Sequence, residues 1–187
     1  MGDSMDYYEE CNKCKLLKDP KGVRLLYKSK NFIAAIGQKP LISLPHLDRK
    51  DGGHILIIPV RHVSDRNEFT KKEAEEFILL SMLIGNAMFN ALPKSGIDLA
   101  IINYQENKNW SVDKPEGPHL HLHLYGRARD SKKQKHGQAL VFPSKGSAYY
   151  KGNRPLNKKD EQLLKQEIKK IIKQPKYSTL KKLNKLK

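Results

Sequence analysis

Three histidines alternate with leucines in the run His119-Leu120-His121-Leu122-His123. On a β-strand, residues two apart share a face, so the imidazoles would lie on one side while the leucines enter the core. Neutral imidazole is a nucleophile and proton carrier near pH 7, because its ordinary pKa is about 6.5. The run therefore indicates histidine catalysis, a three-histidine metal site, or the polar face of a half-buried strand.

The chain has two cysteines, and they are separated by two residues in the segment Cys11-Asn12-Lys13-Cys14. Two cysteines are too few for a disulfide framework. Their spacing is typical either of a redox pair or of half of a zinc site.

The charge of the chain is concentrated near its end. The 187 residues are 38% hydrophobic and carry a formal net charge of +16. Residues 155–187 contain 11 lysines and three acidic residues, so they hold half of that charge. The composition predicts a domain over residues 1–150 and a basic C-terminal helix and tail over 151–187. Such a tail could bind nucleic acid.

Membrane and secretory segments are not expected from the sequence. The most apolar stretch, Phe77 to Phe89, has 13 residues, whereas a spanning helix needs about 20. The N-terminus shows no basic start followed by an apolar run. The sequence predicts a cytoplasmic protein without membrane contact.

A helix from Thr70 to Leu92 is the clearest predicted element. Thr70 and Glu73 have the spacing of a capping box. From Phe77 onward the helix is apolar on nearly every side, but only one face can pack on the domain's own sheet. A second copy of the protein is the simplest cover for the rest, so the pattern predicts a homodimer.

The remaining pattern predicts an α+β domain in which an antiparallel sheet packs with two main helices. Turn residues and β-rich runs predict five strands, and a capped amphipathic segment predicts the second helix, followed by a frayed tail over 177–187. The predicted strands are 23–27, 32–36, 54–58, 98–103 and 119–126, and the predicted helix is 157–173.

Two segments together resemble the histidine triad superfamily. One is Gly53-His54-Ile55-Leu56-Ile57-Ile58-Pro59-Val60-Arg61-His62, and the other is the run from His119 to Tyr125. The resemblance implies an α+β fold, commonly dimeric, and an enzyme acting at the α-phosphate of nucleotides. His123 stands where the uridylyltransferase-like branch has Gln, which favours a hydrolase.

The resemblance also implies roles for individual residues. His121 corresponds to the nucleophile, and His123 to a donor beside the phosphate. His54 matches a fourth histidine that orients or polarises the same site. Asn103 matches an asparagine near the leaving group, although a strand-end Asn is often only a turn former.

A structural zinc site follows from the same resemblance. Many family members complete the cysteine pair with two histidines, which correspond here to His62 and His119. Cys11, Cys14, His62 and His119 would form a closed Cys₂His₂ set without an open position for catalysis. An empty, vestigial site is the alternative.

The chain departs from the family pattern just before the triad. Pro115-Glu116-Gly117-Pro118 replaces a Gly-Gln-Ser or Gly-Gln-Thr element, so Glu116 either turns away from phosphate or serves a different substrate. Trp110 could stack on a base or cap the core. Arg127 and the basic residues after it would either steer phosphate or form a solvated loop. His46 and His136 are expected to be solvated.

The sequence thus predicts a zinc-containing nucleotide hydrolase that cleaves a dinucleoside polyphosphate or a nucleoside phosphoramidate through covalent His121. One alternative is an enzyme that removes adenylate from nucleic-acid 5′ ends, held by the basic tail. The other is a regulatory protein that binds nucleotides with negligible turnover.

Overall fold

The structure is a computed structural model that describes residues 11–43, 45–107, 112–144 and 146–186. Its centre is a five-stranded antiparallel sheet in the order β1-β2-β3-β5-β4. The strands are β1 (Leu25–Lys28), β2 (Phe32–Ile36), β3 (His54–Pro59), β4 (Leu99–Glu106) and β5 (Leu122–Ala128). The helices are α1 (Asn12–Lys18), α2 (Lys71–Ala91), α3 (Lys158–Ile171) and α4 (Ser178–Leu183). The predicted α+β class and antiparallel sheet are confirmed.

Helix α2 begins where the sequence predicts. The Thr70 side chain accepts from the backbone N–H of Glu73, and the Glu73 carboxylate accepts from the backbone N–H of Thr70. Such a capping box satisfies backbone groups that the first turn leaves without partners. The helix then packs on the sheet through Phe77, Leu80 and Ile84.

The length of this helix does not by itself exclude a membrane span. The segment Lys71–Ser95 is long and apolar enough to cross a bilayer, but 61% of its apolar window is buried inside the protein. That packing is typical of the core helix of a globular domain.

The two faces of the sheet differ. Leu122 and Leu124 of β5 enter the main core with the helices α2, α3 and α4. The alternating residues His123 and Tyr125 lie on the other face, where α1 contributes Leu17 to a smaller apolar cluster. The catalytic chemistry predicted for the histidines therefore belongs to the face opposite α2 and α3.

Helices α3 and α4 are fixed to this core. Asn157 and Asp160 form a second capping box, and Arg49 binds the fully buried Asp160 through Nε and Nη2 at 2.5 and 2.8 Å. Tyr177 and Leu180 are fully buried. The expectation of a frayed tail is wrong for residues 177–183, because Tyr177 and Leu180 anchor α4 in the main core.

Candidate active site and metal centre

Four predicted metal ligands meet at one point. Cys11, Cys14, His62 and His119 are all buried, and their four ligand atoms lie within 4.8 Å of one another. The His119 Nδ1 atom lies 3.5 Å from the Cys11 sulfur and 3.4 Å from the Cys14 sulfur. The His62 Nδ1 atom lies 3.4 Å from the Cys14 sulfur.

These distances fit zinc. In a tetrahedral site with Zn–S of about 2.3 Å and Zn–N of about 2.0–2.1 Å, sulfur and nitrogen are about 3.5 Å apart. The His119 Nε2–H also donates to the Pro59 carbonyl at 3.0 Å. A carbonyl only accepts, so this bond leaves the Nδ1 lone pair facing the sulfurs, as a metal ligand requires. Both the spacing and the tautomer of His119 suit a structural Cys₂His₂ zinc site.

His121 lies beside this cluster and just before β5, which begins at Leu122 rather than at the predicted His119. Its Nδ1 lies 2.9 Å from the His119 carbonyl oxygen. That oxygen must accept, so the proton of neutral His121 is on Nδ1 and the Nε2 lone pair is unprotonated. Burial, with the charge of Lys13 as the second cause, lowers the pKa of His121 to about 3. His121 is therefore a neutral imidazole at physiological pH.

His54 and His123 form a buried pair on neighbouring strands. The register of β3 and β5 places His54 opposite Tyr125 and Leu56 opposite His123. His54 Nε2 lies 2.9 Å from His123 Nδ1, and the rings of His121 and His123 have centroids 4.5 Å apart. Burial holds the pKa of both His54 and His123 well below the ordinary value, with neighbouring histidines adding to the effect. The structure thus brings together the three residues predicted to be catalytic.

Two further residues join this pair, and the sequence did not reveal them. His46 is half-buried and its ring stacks near those of His54 and His123, with centroids 5.3 and 5.7 Å away. The expectation that His46 is solvated is wrong, because its loop folds over the histidine face. The Tyr125 hydroxyl lies 2.9 Å from both His46 Nδ1 and His123 Nδ1. The sequence did contain one clue to Tyr125, because this residue carries a polar hydroxyl at a position that is apolar in the motif.

Asn103 is bound to Arg127 rather than to a triad histidine. Its Oδ1 accepts from Arg127 Nη1 at 2.8 Å. Arg127 is buried, and its guanidinium also donates to the carbonyls of Gln134, Lys135 and Gln138. Both expectations for Arg127, phosphate steering and a solvated loop, are wrong, since the side chain fastens the following loop. The role of Asn103 beside a leaving group stays a prediction.

Glu116, in the segment before the triad, lies near a positively charged side chain. Its carboxylate lies 3.8 Å from the Lys114 ammonium, which balances its charge. Its role toward substrate stays a prediction. Trp110, the other proposed substrate contact, lies outside the described residues.

Comparison with known proteins identifies the family. A family model described as the HIT domain matches residues 34–130, which is just over half of the chain. The chain belongs to the HIT domain family. A search of curated proteins found no match.

Solved structures with this fold include a Zn-bound histidine triad family protein from Mycobacterium smegmatis, with 18% identity, a TM-score of 0.56, and coverage of 87% of this chain and 95% of that chain. A hypothetical histidine triad nucleotide-binding protein from Sulfolobus tokodaii has 19% identity, a TM-score of 0.51, and coverage of 91% and 94%. A Hit-like protein involved in cell-cycle regulation from Bartonella henselae has 18% identity, a TM-score of 0.52, and coverage of 89% and 96%. At these identities the similarity establishes the fold.

Proposed function

We propose that this protein is a nucleotide hydrolase that acts at the α-phosphate through covalent His121. The observation that carries the proposal is the hydrogen bond from His121 Nδ1–H to the His119 carbonyl, which leaves Nε2 with a lone pair. His121 is half-buried, so a phosphate could reach it, whereas His54 and His123 are buried behind it. A neutral, oriented imidazole is the form of histidine that attacks phosphorus.

The reaction would proceed in two displacements. His121 Nε2 attacks the α-phosphorus, a P–N bond forms, and the bond from phosphorus to the leaving group breaks. The leaving group takes its proton from His123. Water then attacks the same phosphorus, the P–N bond breaks, and the nucleoside monophosphate leaves. Each step replaces one bond at phosphorus by another.

The charges around the triad support an anionic substrate. The three triad histidines are held neutral by burial, and the positive charge of Lys13 adds to the lowering of their pKa values. Burial lowers the pKa of Lys13 itself. A phosphate bound beside Lys13 would offset this burial and favour the ammonium form, so it would meet a cation on α1 beside neutral imidazoles. Together with a third triad histidine rather than Gln, this favours a dinucleoside polyphosphate or a nucleoside phosphoramidate.

The zinc would have a structural role. Cys11, Cys14, His62 and His119 fill the four positions of a tetrahedral ion, so none remains for substrate. Bound there, zinc would join α1 to the loop after β3 and to the residue two before His121. The metal would hold Lys13 near the phosphate site, since Lys13 lies between the two cysteines.

The homodimer is proposed on a narrower surface than the sequence indicates. Most apolar residues of α2 are buried within the chain. Ile78, Met82 and Phe89 stay 51%, 42% and 41% exposed, and they lie within about 40° of one another at 3.6 residues per turn. Tyr104 of the edge strand β4, 47% exposed, packs beside Gly85 of the same helix. This stripe would be covered by the same stripe of a second copy.

A nucleic-acid substrate is the second candidate, and one observation weighs against it. The lysines of α3 and α4 are largely exposed, but these helices pack on the face of the sheet opposite the histidines. The basic surface would therefore have to hold a strand that bends around the domain. A small nucleotide needs no such path, so we favour it.

Activity assays on defined substrates test the proposal. Wild-type protein should hydrolyse an adenosine phosphoramidate or a diadenosine polyphosphate, and His121→Ala should abolish hydrolysis while nucleotide binding persists. His136→Ala, which alters an exposed histidine outside the site, is the matched control. Activity of the His121→Ala variant within about tenfold of the parent refutes the assignment. Binding without turnover by the wild type would indicate the regulatory alternative.

A further inference from the structure

A chain of hydrogen bonds extends from His123 toward the surface. His123 Nδ1 lies 2.9 Å from the Tyr125 hydroxyl, which lies 2.9 Å from His46 Nδ1. Tyr125 is fully buried, whereas His46 is half-buried. His54 Nε2 reaches the same His123 nitrogen at 2.9 Å. His46, Tyr125 and His123 are here called the relay.

The contacts assign the protons of the relay. His123 Nδ1 faces both the Tyr125 hydroxyl and His54 Nε2, and it can accept from both if it carries no proton. His54 Nδ1 is buried, has no hydrogen-bond partner among the described residues, and abuts Gly37. Each assignment leaves one buried N–H without a protein acceptor, either on His54 Nδ1 or on His123 Nε2. Gly37 closes off His54 Nδ1, whereas His123 lies beside His121, where a substrate can accept, so the His54 proton belongs on Nε2. His123 then carries its own proton on Nε2, and His46 Nδ1–H donates to the Tyr125 oxygen.

His123 Nε2–H is thus a donor held ready for a substrate. It is buried and has no hydrogen-bond partner within the described part of the chain. A neutral imidazole that gives this proton away becomes an imidazolate unless its other nitrogen receives one. The Tyr125 hydroxyl is placed to supply that proton.

We propose that Tyr125 and His46 are positioning residues that relay protons through His123, an inference that rests on the proposed hydrolase function. When the leaving group takes the Nε2 proton of His123, Tyr125 gives its hydroxyl proton to Nδ1 and receives the Nδ1 proton of His46. Solvent returns a proton to His46 Nε2. The net change is one proton passed from solvent to the leaving group, and no residue of the relay becomes charged.

The second displacement reverses the relay. His123 Nε2 now has a lone pair and accepts a proton from the attacking water. Its Nδ1 proton returns to Tyr125, the Tyr125 proton returns to His46 Nδ1, and His46 Nε2 releases a proton to solvent. His54 stabilises the resting proton arrangement, because its Nε2–H can donate to His123 Nδ1 only when that nitrogen carries no proton. Burial, which lowers the pKa of His54 and His123, disfavours the alternative of a cationic His123.

A metal ion is a less suitable occupant of this cluster. Ring nitrogens of His46, His54 and His123 do lie within 4.8 Å of one another. However, the His54 and His123 rings are tilted by only 13°, with centroids 5.0 Å and nitrogens 2.9 Å apart. Such nearly coplanar, in-line rings point their nitrogens at each other, whereas two ligands of one tetrahedral ion converge on it at about 3.3 Å.

Histidine tautomers test the relay without any substrate. In protein labelled with ¹⁵N at histidine, the ring nitrogen shifts should place the resting proton of His123 on Nε2 and that of His46 on Nδ1. A His123 proton on Nδ1 overturns the proposal. So does a Co²⁺ titration in which a second ion shifts the resonances of His46, His54 and His123.

Kinetics of Tyr125→Phe test the same chain during turnover. The variant keeps the ring and removes the hydroxyl, so we expect kcat to fall about 100-fold while KM stays within about twofold. The solvent-isotope proton inventory should change from curved to linear. His46→Phe should also lower kcat. The double variant should be no slower than Tyr125→Phe, because both substitutions interrupt the same relay and their effects should not add.

Tyr27→Phe is the matched control. Tyr27 is also fully buried, and its hydroxyl donates to the Leu180 carbonyl at 3.2 Å, away from the histidines. This variant should keep wild-type kcat. Equal losses in Tyr27→Phe and Tyr125→Phe, or a wild-type rate in Tyr125→Phe, overturn the relay. If the wild type hydrolyses none of the substrates, the proposed function is wrong. The tautomer of His123 then still tests the proton positions proposed for the relay.

Discussion

Removal of the proposed zinc should destabilise the whole domain measurably. The contact between Cys14 and His62 spans 48 residues, and constraining a loop of that size stabilises a fold by about 4 kcal/mol. For a chain of 187 residues, unfolding entropy is about 0.4 kcal/mol/K, so this corresponds to about 10 °C in Tm. Zinc binding by cysteines of the unfolded chain reduces the effect, so we expect a shift of about 5–10 °C.

Calorimetry and elemental analysis together measure this effect. Protein purified without chelator should contain one zinc per chain and lose that stability on treatment with chelator. The Cys11→Ser/Cys14→Ser variant should contain no zinc, melt near the chelated wild type, and be insensitive to chelator. His136→Ala should behave like the wild type. Metal-free wild-type protein, or zinc retained by the double serine variant, contradicts the Cys₂His₂ assignment.

Three further predictions concern assembly and stability. Met82→Glu should convert a dimer into a folded monomer in sedimentation velocity, since it charges the exposed stripe; an unchanged sedimentation coefficient would count against that interface. Truncation after Pro155 should abolish cooperative unfolding seen by circular dichroism, because it deletes the buried Tyr177 and the helices around it; a cooperative melt would show that the rest folds alone. Hydrogen bonds from Arg61 lower the pKa of Glu73 from 4.5 to about 2, so its contribution is present above pH 4.5 and lost as pH falls toward 2. Glu73→Gln should lower the free energy of unfolding by about 2–3 kcal/mol at pH 7. In denaturant titrations the variant's free energy of unfolding should vary less between pH 2 and 4.5 than that of the wild type, and an unchanged pH profile would refute this.

Local signals predicted the elements well. The Thr70 and Glu73 capping box and the alternation from His119 onward depend on residues close in sequence, and they predicted helix α2 and the buried leucines of β5. Helix α4 near the end of the chain was not predicted, because local signals there are weak. Tyr177 and Leu180 form too short a pattern to reveal a helix, and their burial depends on contacts with α2 and β1.

The site could be predicted only where residues lie on regular strands. Alternation predicts that His121 and His123 share a face, but it does not show which side chain lies opposite. The register of β4 and β5 pairs Asn103 with Tyr125, and Arg127 takes the Asn103 oxygen. His46 lies in a loop without periodicity, next to the buried Leu47, so no local pattern places it beside the histidines.

The most direct test of the central claim is to trap the covalent intermediate. Wild-type protein would be mixed, in molar excess, with a labelled adenosine phosphoramidate and quenched in alkaline denaturant during a single turnover. The quenched protein would then be analysed by peptide mass spectrometry. Because the His121 Nε2 lone pair is the proposed nucleophile, the adenylyl group should be found on the peptide that contains His121, and none should be found in His121→Ala. Hydrolysis by the wild type with no labelled peptide, or the same label on His121→Ala, would contradict the mechanism.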